Sequence, residues 1–244
     1  MLSKSEIKLI TSLKQKKYRQ QYKLFVAEGK KTIIELLQSN LQLHQLYTTT
    51  LEFDVLDDLI TGISDNELKK ISFLKTPNTA LAVFKIPNES PIDFSTLIVA
   101  LDNVRDPGNL GTIIRLCDWF GVKDLLCSLE TVDCYNPKVI QATMGSITRV
   151  NVSYVDLKQV LEKQEVDVFG AFMDGENIYD TKLTDSGILV LGNEANGICG
   201  AIEKLVSKRV SIPRFGELQA TESLNVANAT AILLSEFKRR FTGM

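Results

Sequence analysis

The stretch ILVLGNEANGICG, residues 188–200, runs from a short apolar strand directly into a polar loop that contains Gly192 and Glu194. Gly192 and Gly197 have the outer spacing of a phosphate-binding loop, but isoleucine and cysteine follow where that loop needs lysine and serine or threonine. The chain has no GxGxxG pattern either, so a triphosphate loop and a Rossmann dinucleotide loop are both excluded. Glu194 is open to two interpretations, a first-turn charge beside a helix start or a functional carboxylate.

Strands and helices alternate on both sides of this stretch. The predicted strands are TLIVALD, VKDLLC, VDVFGAF, GILVLG and RVSI. The predicted helices are Leu110–Phe120, Pro137–Thr143, Asp156–Glu165, Ala201–Leu205 and Ser223–Arg240. This alternation predicts an α/β fold over residues 91–244, with a doubly wound, mostly parallel sheet and helices on both faces. Ligands of such sheets bind beyond the carboxyl ends of the strands, where the polar residues collect here.

The N-terminal part, residues 1–90, is predicted to form a smaller α/β unit. Ser3 and Glu6 make a capping box at the start of a helix. LFVAEG, LHQLYTTT and TALAVFKI have the pattern of strands, and KKTIIELLQS has that of a second helix. The stretch IPNESPIDFS, with two prolines and little periodicity, is the best linker candidate between the two units.

The charge is unevenly distributed along the chain. The net charge is only −2, yet residues 1–31 contain nine Lys and Arg against two Glu, interleaved with Tyr18 and Tyr22. Such a basic stretch is the kind of local footprint that attracts RNA phosphates. The alternative is a solvated helix face.

Composition excludes several classes of function. The four cysteines form no CxxC pair, so we expect reduced thiols and no metal site. His44 is the one histidine, which argues against a Ser-His-Asp or Cys-His hydrolase. There is no apolar run of about 18 residues and no signal-peptide core. We therefore expect a cytosolic protein without a membrane partner.

Two further loops follow predicted strands. In LDNVRDPGNLGTIIRLCDWFG, residues 101–121, Asn109 is at the expected N-cap of a helix. Arg115 lies six residues further on in an apolar helix, where it either extends to water or has a function. In residues 211–240 the expected N-cap of the long helix is Ser223, whereas Asn225 in its first turn has less structural reason to be there.

Together the three loops resemble the SpoU/TrmH family of SPOUT methyltransferases. The resemblance rests on DPGNLGTIIR at 106–115, LGNEANGI at 191–198 and the IP and SLNV of 212–226, and it extends over nearly the whole chain. Glu28-Gly29-Lys30 of FVAEGK also looks like the substrate-binding domain that precedes many members. One departure is the stretch RFGELQATE, which is longer than in several relatives and leaves cofactor contacts there open.

The resemblance implies a C-terminal domain with a deep trefoil knot, a homodimer, and S-adenosylmethionine bound by backbone groups of the knot loops. By position, the cofactor contacts would be Gly192, Ile212 and Leu224, with Thr143 and Gly145 as weaker candidates. The substrate would be a ribose 2′-hydroxyl of ribosomal or transfer RNA, not DNA, and no metal would be required.

The resemblance also implies the catalytic residues. Arg115 matches the essential arginine of the family. Because a guanidinium has a pKa above about 12, we interpret it as a group that binds the target phosphate and stabilises the developing alkoxide. Asn109, Glu194, Ser223 and Asn225 would then position Arg115 and the hydroxyl. The alternative is a catalytically silent RNA-binding or ribosome-assembly protein with the same fold.

Overall fold

A computed structural model describes residues 2–50, 52–216, 218 and 223–241. By packing, the chain divides into two compact units. The first contains residues 1–89 and 133–148, and the second contains residues 90–132 and 149–244. The segment 133–148, which the sequence assigns to the second domain, thus packs with the first unit. The assignment of RNA binding and catalysis to separate domains stays a prediction.

The helices and strands are numbered in chain order. The helices are α1 (Lys4–Ser12), α2 (Lys16–Tyr22), α3 (Lys30–Leu37), α4 (Asp65–Ile71), α5 (Pro107–Trp119), α6 (Pro137–Thr143), α7 (Leu157–Lys163), α8 (Gly200–Glu203) and α9 (Val226–Arg239). The strands are β1 (Leu24–Glu28), β2 (Leu43–Thr48), β3 (Ile60–Gly62), β4 (Ala80–Lys85), β5 (Leu97–Leu101), β6 (Asp124–Ser128), β7 (Asn151–Val155), β8 (Val168–Asn177), β9 (Gly187–Leu191) and β10 (Lys208–Ser211). In the part of the chain that the structure describes, no helix is long and apolar enough to span a membrane.

The first unit is built on a four-stranded sheet of order β1-β4-β2-β3. Strand β4 is antiparallel to both of its neighbours, and β3 is parallel to β2. The predicted capping box is present, because the Ser3 hydroxyl accepts from the Glu6 N–H and the Glu6 carboxylate accepts from the Ser3 N–H. It starts α1 so that Ile10 and Leu13 are fully buried against the sheet core.

One residue of the basic N-terminal stretch is a core residue. Arg19 is only 2% exposed and forms an ion pair with Asp133. Its guanidinium also donates to the carbonyl oxygens of Leu13 and Lys14, at 2.8 and 2.9 Å. A buried cation needs such partners, because an unpaired one would lose its hydration without compensation. Arg19 therefore fixes the turn between α1 and α2 and does not contribute to the basic surface.

The second unit contains a six-stranded parallel sheet of order β10-β8-β9-β5-β6-β7. The predicted α/β fold class is confirmed, and within this sheet the pairing is parallel throughout. The strand order reverses between β5 and β9, whose last residues, Leu101 and Leu191, are paired in register. A reversal of this kind opens a crevice at the carboxyl ends of the strands. The loops after Leu101 and Leu191 meet there.

Two helix starts differ from the prediction by three residues, and those of α7 and α8 differ by one. Helix α5 begins at Pro107 and its N-cap is Asp106, whose carboxylate accepts from the backbone N–H of Asn109. Helix α9 begins at Val226 and is capped by Asn225 rather than by Ser223. Asp106 caps α5 in place of Asn109 because proline is favoured at the first helical position and aspartate directly before it. As a result the side chain of Asn109 is free of capping.

Candidate active site

A cavity of about 900 Å³ lies in the second unit. Its walls come from the middle of β8, the end of β9 with the loop after it, and parts of the chain from β10 to α9. The lining residues are 171–173, 191–194, 197, 198, 210, 212–214, 216, 218, 223, 224, 226, 229 and 233. Apolar side chains dominate, with a few polar groups among them. This is the usual composition of a small-molecule pocket, and the size suits a cofactor.

The loop after β9 closes tightly on itself. A Cβ atom at Gly192 would lie 2.1 Å from the carbonyl carbon of Gly197, so only glycine fits there. The backbones of Asn193 and Gly197 exchange two hydrogen bonds, at 3.0 and 2.8 Å. The Asn193 side chain donates to the carbonyl of Asn103 in the loop after β5, at 2.7 Å. The loop is thereby held against its neighbour, with Glu194 on the cavity wall.

Three predicted catalytic residues form one hydrogen-bonded network. The Asn109 Nδ2 donates to the Glu194 Oε1 at 2.5 Å, and the Asn225 Nδ2 donates to the Asn109 Oδ1 at 2.9 Å. The Asn225 Oδ1 is occupied by the N–H groups of Ala227 and Asn228 at the start of α9. Because the Asn225 oxygen accepts these bonds, the Asn225 nitrogen is the atom that faces Asn109. The Asn109 oxygen accepts from it, so the Asn109 nitrogen donates to the Glu194 carboxylate. The network joins three loops that are far apart in the sequence.

Arg115 lies two turns beyond Asn109 on the exposed side of α5. Its neighbours Ile113 and Ile114 are fully buried, which turns Arg115 outward. Within the described residues its guanidinium makes no hydrogen bond and no ion pair. One turn further, the Trp119 side chain is 84% exposed. The arginine is available to bind an anion from outside.

The predicted cofactor residues separate into two groups. Gly192, Ile212 and Leu224 all line the cavity, as does Ser223. Thr143 and Gly145 belong to the first unit, and both have structural roles there. The Thr143 hydroxyl is buried and donates to the carbonyl of Ile140 at 2.8 Å. Gly145 has φ +97°, and a Cβ there would lie 2.6 Å from the Cβ of Glu35. As cofactor contacts these two residues stay untested predictions.

Sequence reasoning missed the wall formed by β8. The register between β8 and β10 shifts after Gly170 and Arg209, so residues 171–175 leave the regular ladder. Ala171, Phe172 and Met173 of this excursion line the cavity. An interrupted apolar strand that ends in Met-Asp-Gly was the available signal, but its meaning depends on the register with β10.

Arg209 holds this wall from outside. Its guanidinium carbon lies 3.6 Å from the centroid of the Phe172 ring. Its two terminal nitrogens donate to the carboxylates of Asp174 and Glu203, each at 2.5 Å. The hydrogen bond from Arg209 lowers the pKa of the Asp174 carboxyl. Arg209 thus connects β10, α8 and the excursion of β8.

No metal site accompanies the cavity in the described part of the chain, where no group of three or more His, Cys, Asp or Glu could hold an ion. The four cysteines, all within the described residues, form no disulfide; three are buried and Cys199 is exposed. Beside the apolar pocket the site offers amides, a carboxylate, a hydroxyl and an arginine.

Comparison with known proteins identifies the family of the chain. The family model for the SpoU rRNA methylase family matches residues 96–235, and a model for an MRM3-like substrate binding domain matches residues 4–82. A 23S rRNA (guanosine(2553)-2′-O)-methyltransferase, RlmP of Bacillus subtilis, is 31% identical over 231 residues, 90% of each chain. A 23S rRNA (uridine(2479)-2′-O)-methyltransferase of Streptomyces viridochromogenes is 30% identical over 69% of this chain and 63% of its own.

Solved structures give the same result for the fold. A protein of the TrmH family of RNA methyltransferases from Porphyromonas gingivalis superposes with a TM-score of 0.90 at 36% identity, covering 98% of this chain and 99% of its own. The AdoMet-bound rRNA methyltransferase from Sinorhizobium meliloti gives 0.87 at 28% identity, covering 100% and 97%. Fold and site thus define an S-adenosylmethionine-dependent RNA 2′-O-methyltransferase with the SPOUT fold. The chain belongs to the SpoU rRNA methylase family.

Proposed function

We propose that this protein transfers the methyl group of S-adenosylmethionine to a ribose 2′-hydroxyl of ribosomal RNA. The observation that carries the proposal is the network of Asn109, Glu194 and Asn225 at the strand-order reversal, with Glu194 also on the cavity wall. The choice of ribosomal RNA is supported by the relative RlmP, whose name gives that substrate and which matches 90% of this chain.

The cavity is proposed to hold the cofactor, which supplies a methyl group already activated on a sulfonium sulfur. Backbone groups of Gly192, Ile212 and Leu224 would bind its polar parts, and the apolar walls would exclude water. The tight closure of the loop at Gly192 keeps those groups in place before binding. In-line approach of the ribose oxygen is the main requirement of methyl transfer, so positioning could lower the barrier by about 7 kcal/mol or more.

Arg115 is proposed to bind the phosphate next to the target ribose and to stabilise the developing 2′-alkoxide. Its exposed guanidinium, which has no partner among the described residues, suits this role because it offers a planar fork of donors to an anion. As the ribose oxygen bonds to the methyl carbon, its proton would pass to water and the methyl–sulfur bond would break, with the electron pair left on a neutral thioether sulfur. Glu194 and Asn109, with Ser223 at the cavity, would orient the hydroxyl and the arginine.

A homodimer and a C-terminal trefoil knot are proposed together with this activity. The exposed face of α5, with Trp119 84% exposed beside Arg115, supports an interface with a second copy. Membership of the family supports the knot, which general rules of chain topology would not suggest. The cytosolic location also stays a prediction.

The test is to map ribose methylations in total RNA from cells that lack the gene. We expect one 2′-O-methyl group to be missing from ribosomal RNA and to return when the purified protein and S-adenosylmethionine are added. Loss of a transfer RNA methylation instead would redirect the substrate. An unchanged methylation map together with retained RNA binding would favour the catalytically silent protein, against which the complete side-chain network argues.

A further inference from the structure

Helix α2 of the first unit presents a pair of stacked tyrosines to solvent. Tyr18 and Tyr22 are one helical turn apart, with ring centroids separated by 6.2 Å and planes inclined by 13°. Tyr22 is 44% exposed, whereas Tyr18 is half-buried. The two rings form a short stack, and Tyr22 is its more exposed member.

Lysines flank the two tyrosines in the sequence. Lys14, Lys16, Lys17 and Lys23 are all exposed, and no acidic residue occurs between residues 14 and 23. The Lys17 Nζ lies 5.5 Å from the centroid of the Tyr18 ring. The positive charge is local, because the whole chain has a net charge of −2. A concentrated cationic surface around an aromatic face matches the phosphates and bases of a nucleic acid.

The tyrosines are also held firmly. Within α2, buried Arg19 bonds to Asp133 and to the carbonyls of Leu13 and Lys14. These bonds fix the direction of the helix before any ligand arrives. A rigid platform loses little conformational entropy on binding, which favours stacking on it.

We propose that this face of α2 binds unpaired nucleotides of the RNA substrate, with one base stacked on Tyr22 and the adjoining phosphates near the lysines. The inference rests on the proposed function for the identity of the partner as RNA. Unpaired nucleotides are favoured because a base within a duplex has no free face to offer an aromatic ring. The alternative is a solvated basic helix without a binding function, which would have the same lysines but would give the stacked rings no role.

The experiment measures binding of fluorescent RNA to the full-length protein. The probes are an oligouridylate of about ten nucleotides and an RNA duplex of about the same length. We expect Tyr22→Leu to weaken oligouridylate binding by about five- to a hundredfold and to leave duplex binding unchanged. Tyr22→Phe keeps the ring and should bind as the wild type does. Tyr179→Leu is the matched control, because Tyr179 is 41% exposed in the second unit.

A second arm isolates the charge. The double variant Lys14→Gln and Lys17→Gln should lower the salt dependence of oligouridylate affinity by about 1.4 logarithmic units per logarithmic unit of salt. Lys69→Gln with Lys70→Gln removes the same charge from the exposed end of α4 and should leave the slope unchanged. The Tyr22→Leu variant should keep the wild-type slope.

Equal oligouridylate binding by Tyr22→Leu and wild type would overturn the proposal, as would an equal loss in Tyr179→Leu. An equal slope change in both lysine pairs would also contradict it. A failure of the proposed function is separate, since it would leave the wild-type protein unable to methylate ribosomal RNA whatever Tyr22 does. If the wild type methylates and Tyr22→Leu shows the same KM for RNA, only the role of α2 is wrong.

Discussion

At the residue scale, the most informative position is Arg115. We expect Arg115→Lys to fold and to bind S-adenosylmethionine normally, because the side chain is exposed and lies outside the cavity lining. Its single-turnover methylation rate should fall by about a hundredfold or more, since lysine keeps the charge but lacks the planar fork. Thr112→Ser, an exposed change on the same helix, is the control. A near-normal single-turnover rate in Arg115→Lys would show that Arg115 only extends to water and has no catalytic role.

A second residue links pH to the stability of the first unit. Hydrogen bonds from the Ser64 N–H, the Leu2 N–H and the Ser64 hydroxyl lower the pKa of Glu67 from 4.5 to about 2. The stabilisation is therefore complete above pH 4.5 and is lost as the pH falls towards 2.

Thermal unfolding measured against pH tests this effect. Glu67→Gln should have a lower Tm than the wild type at neutral pH, and the gap should narrow between pH 4.5 and 2. Asp65→Asn neutralises another carboxylate of α4 and serves as the control. A gap that stays constant down to pH 2 would show that the Glu67 charge contributes nothing.

At the element scale, helix caps account for the main difference between sequence and structure. Asp106 and Asn225, rather than Asn109 and Ser223, cap α5 and α9. Both predictions chose a plausible capping residue within three positions of the real one. Which of several neighbouring Asp, Asn and Ser residues caps a helix depends on where the preceding strand and loop end. No local sequence pattern gives that point.

The network itself could be predicted only in outline. Alternating strands and helices placed Asn109, Glu194 and Asn225 at the carboxyl edge of one sheet, and the family resemblance named them. Their direct contacts span 85 and 116 residues of sequence, so they depend on the strand order and on the closed loop at Gly192. Strand β7 was not predicted, because NVSYV is half-buried throughout and has no fully apolar run.

The part of β8 that leaves the regular ladder, residues 171–175, leads to a prediction about cofactor binding. If Arg209 holds Phe172 on the cavity wall, Arg209→Met should raise the Kd for S-adenosylmethionine about two- to fivefold, as loss of an exposed cation–π contact implies. The single-turnover rate at saturating cofactor should stay unchanged. Calorimetric titration and rapid-quench kinetics measure the two quantities.

The neighbouring residue supplies the matched control. Lys208 lies 4.9 Å from the Phe169 ring and 2.7 Å from Asp167, a similar arrangement at a ring outside the cavity lining. Lys208→Met should therefore leave the Kd unchanged. If Arg209→Met binds the cofactor as the wild type does, Arg209 has no influence on the pocket.

At the scale of the whole molecule, the packing changes how the two units can be tested. Asp133 and Tyr135 pack into the first unit, where Asp133 pairs with Arg19 and the Tyr135 ring lies 4.9 Å from that of Phe25. Deleting residues 1–90 would leave these partners exposed and unpaired. Substitutions on the surface of the first unit are therefore a better test of RNA binding than truncation.

The proposed dimer belongs to the same scale. We expect the wild-type protein to sediment at twice the mass of the chain, and Trp119→Glu to sediment as a monomer, because a buried charge would replace a large apolar contact. Leu56→Glu, which changes a 70% exposed residue of the first unit, should stay dimeric. A monomeric wild type, or a dimeric Trp119→Glu, would show that α5 is not the interface.

The central claim is that this chain methylates a ribose oxygen without a metal. The most direct measurement incubates purified protein with unmodified ribosomal RNA, labelled S-adenosylmethionine and EDTA, then digests the RNA and identifies the labelled nucleoside by mass spectrometry. We expect a single 2′-O-methylated nucleoside, because the cavity and its network contain the groups that would position a ribose hydroxyl. A label on a base, or methylation that requires Zn²⁺ or Mg²⁺ for cofactor binding, would contradict it.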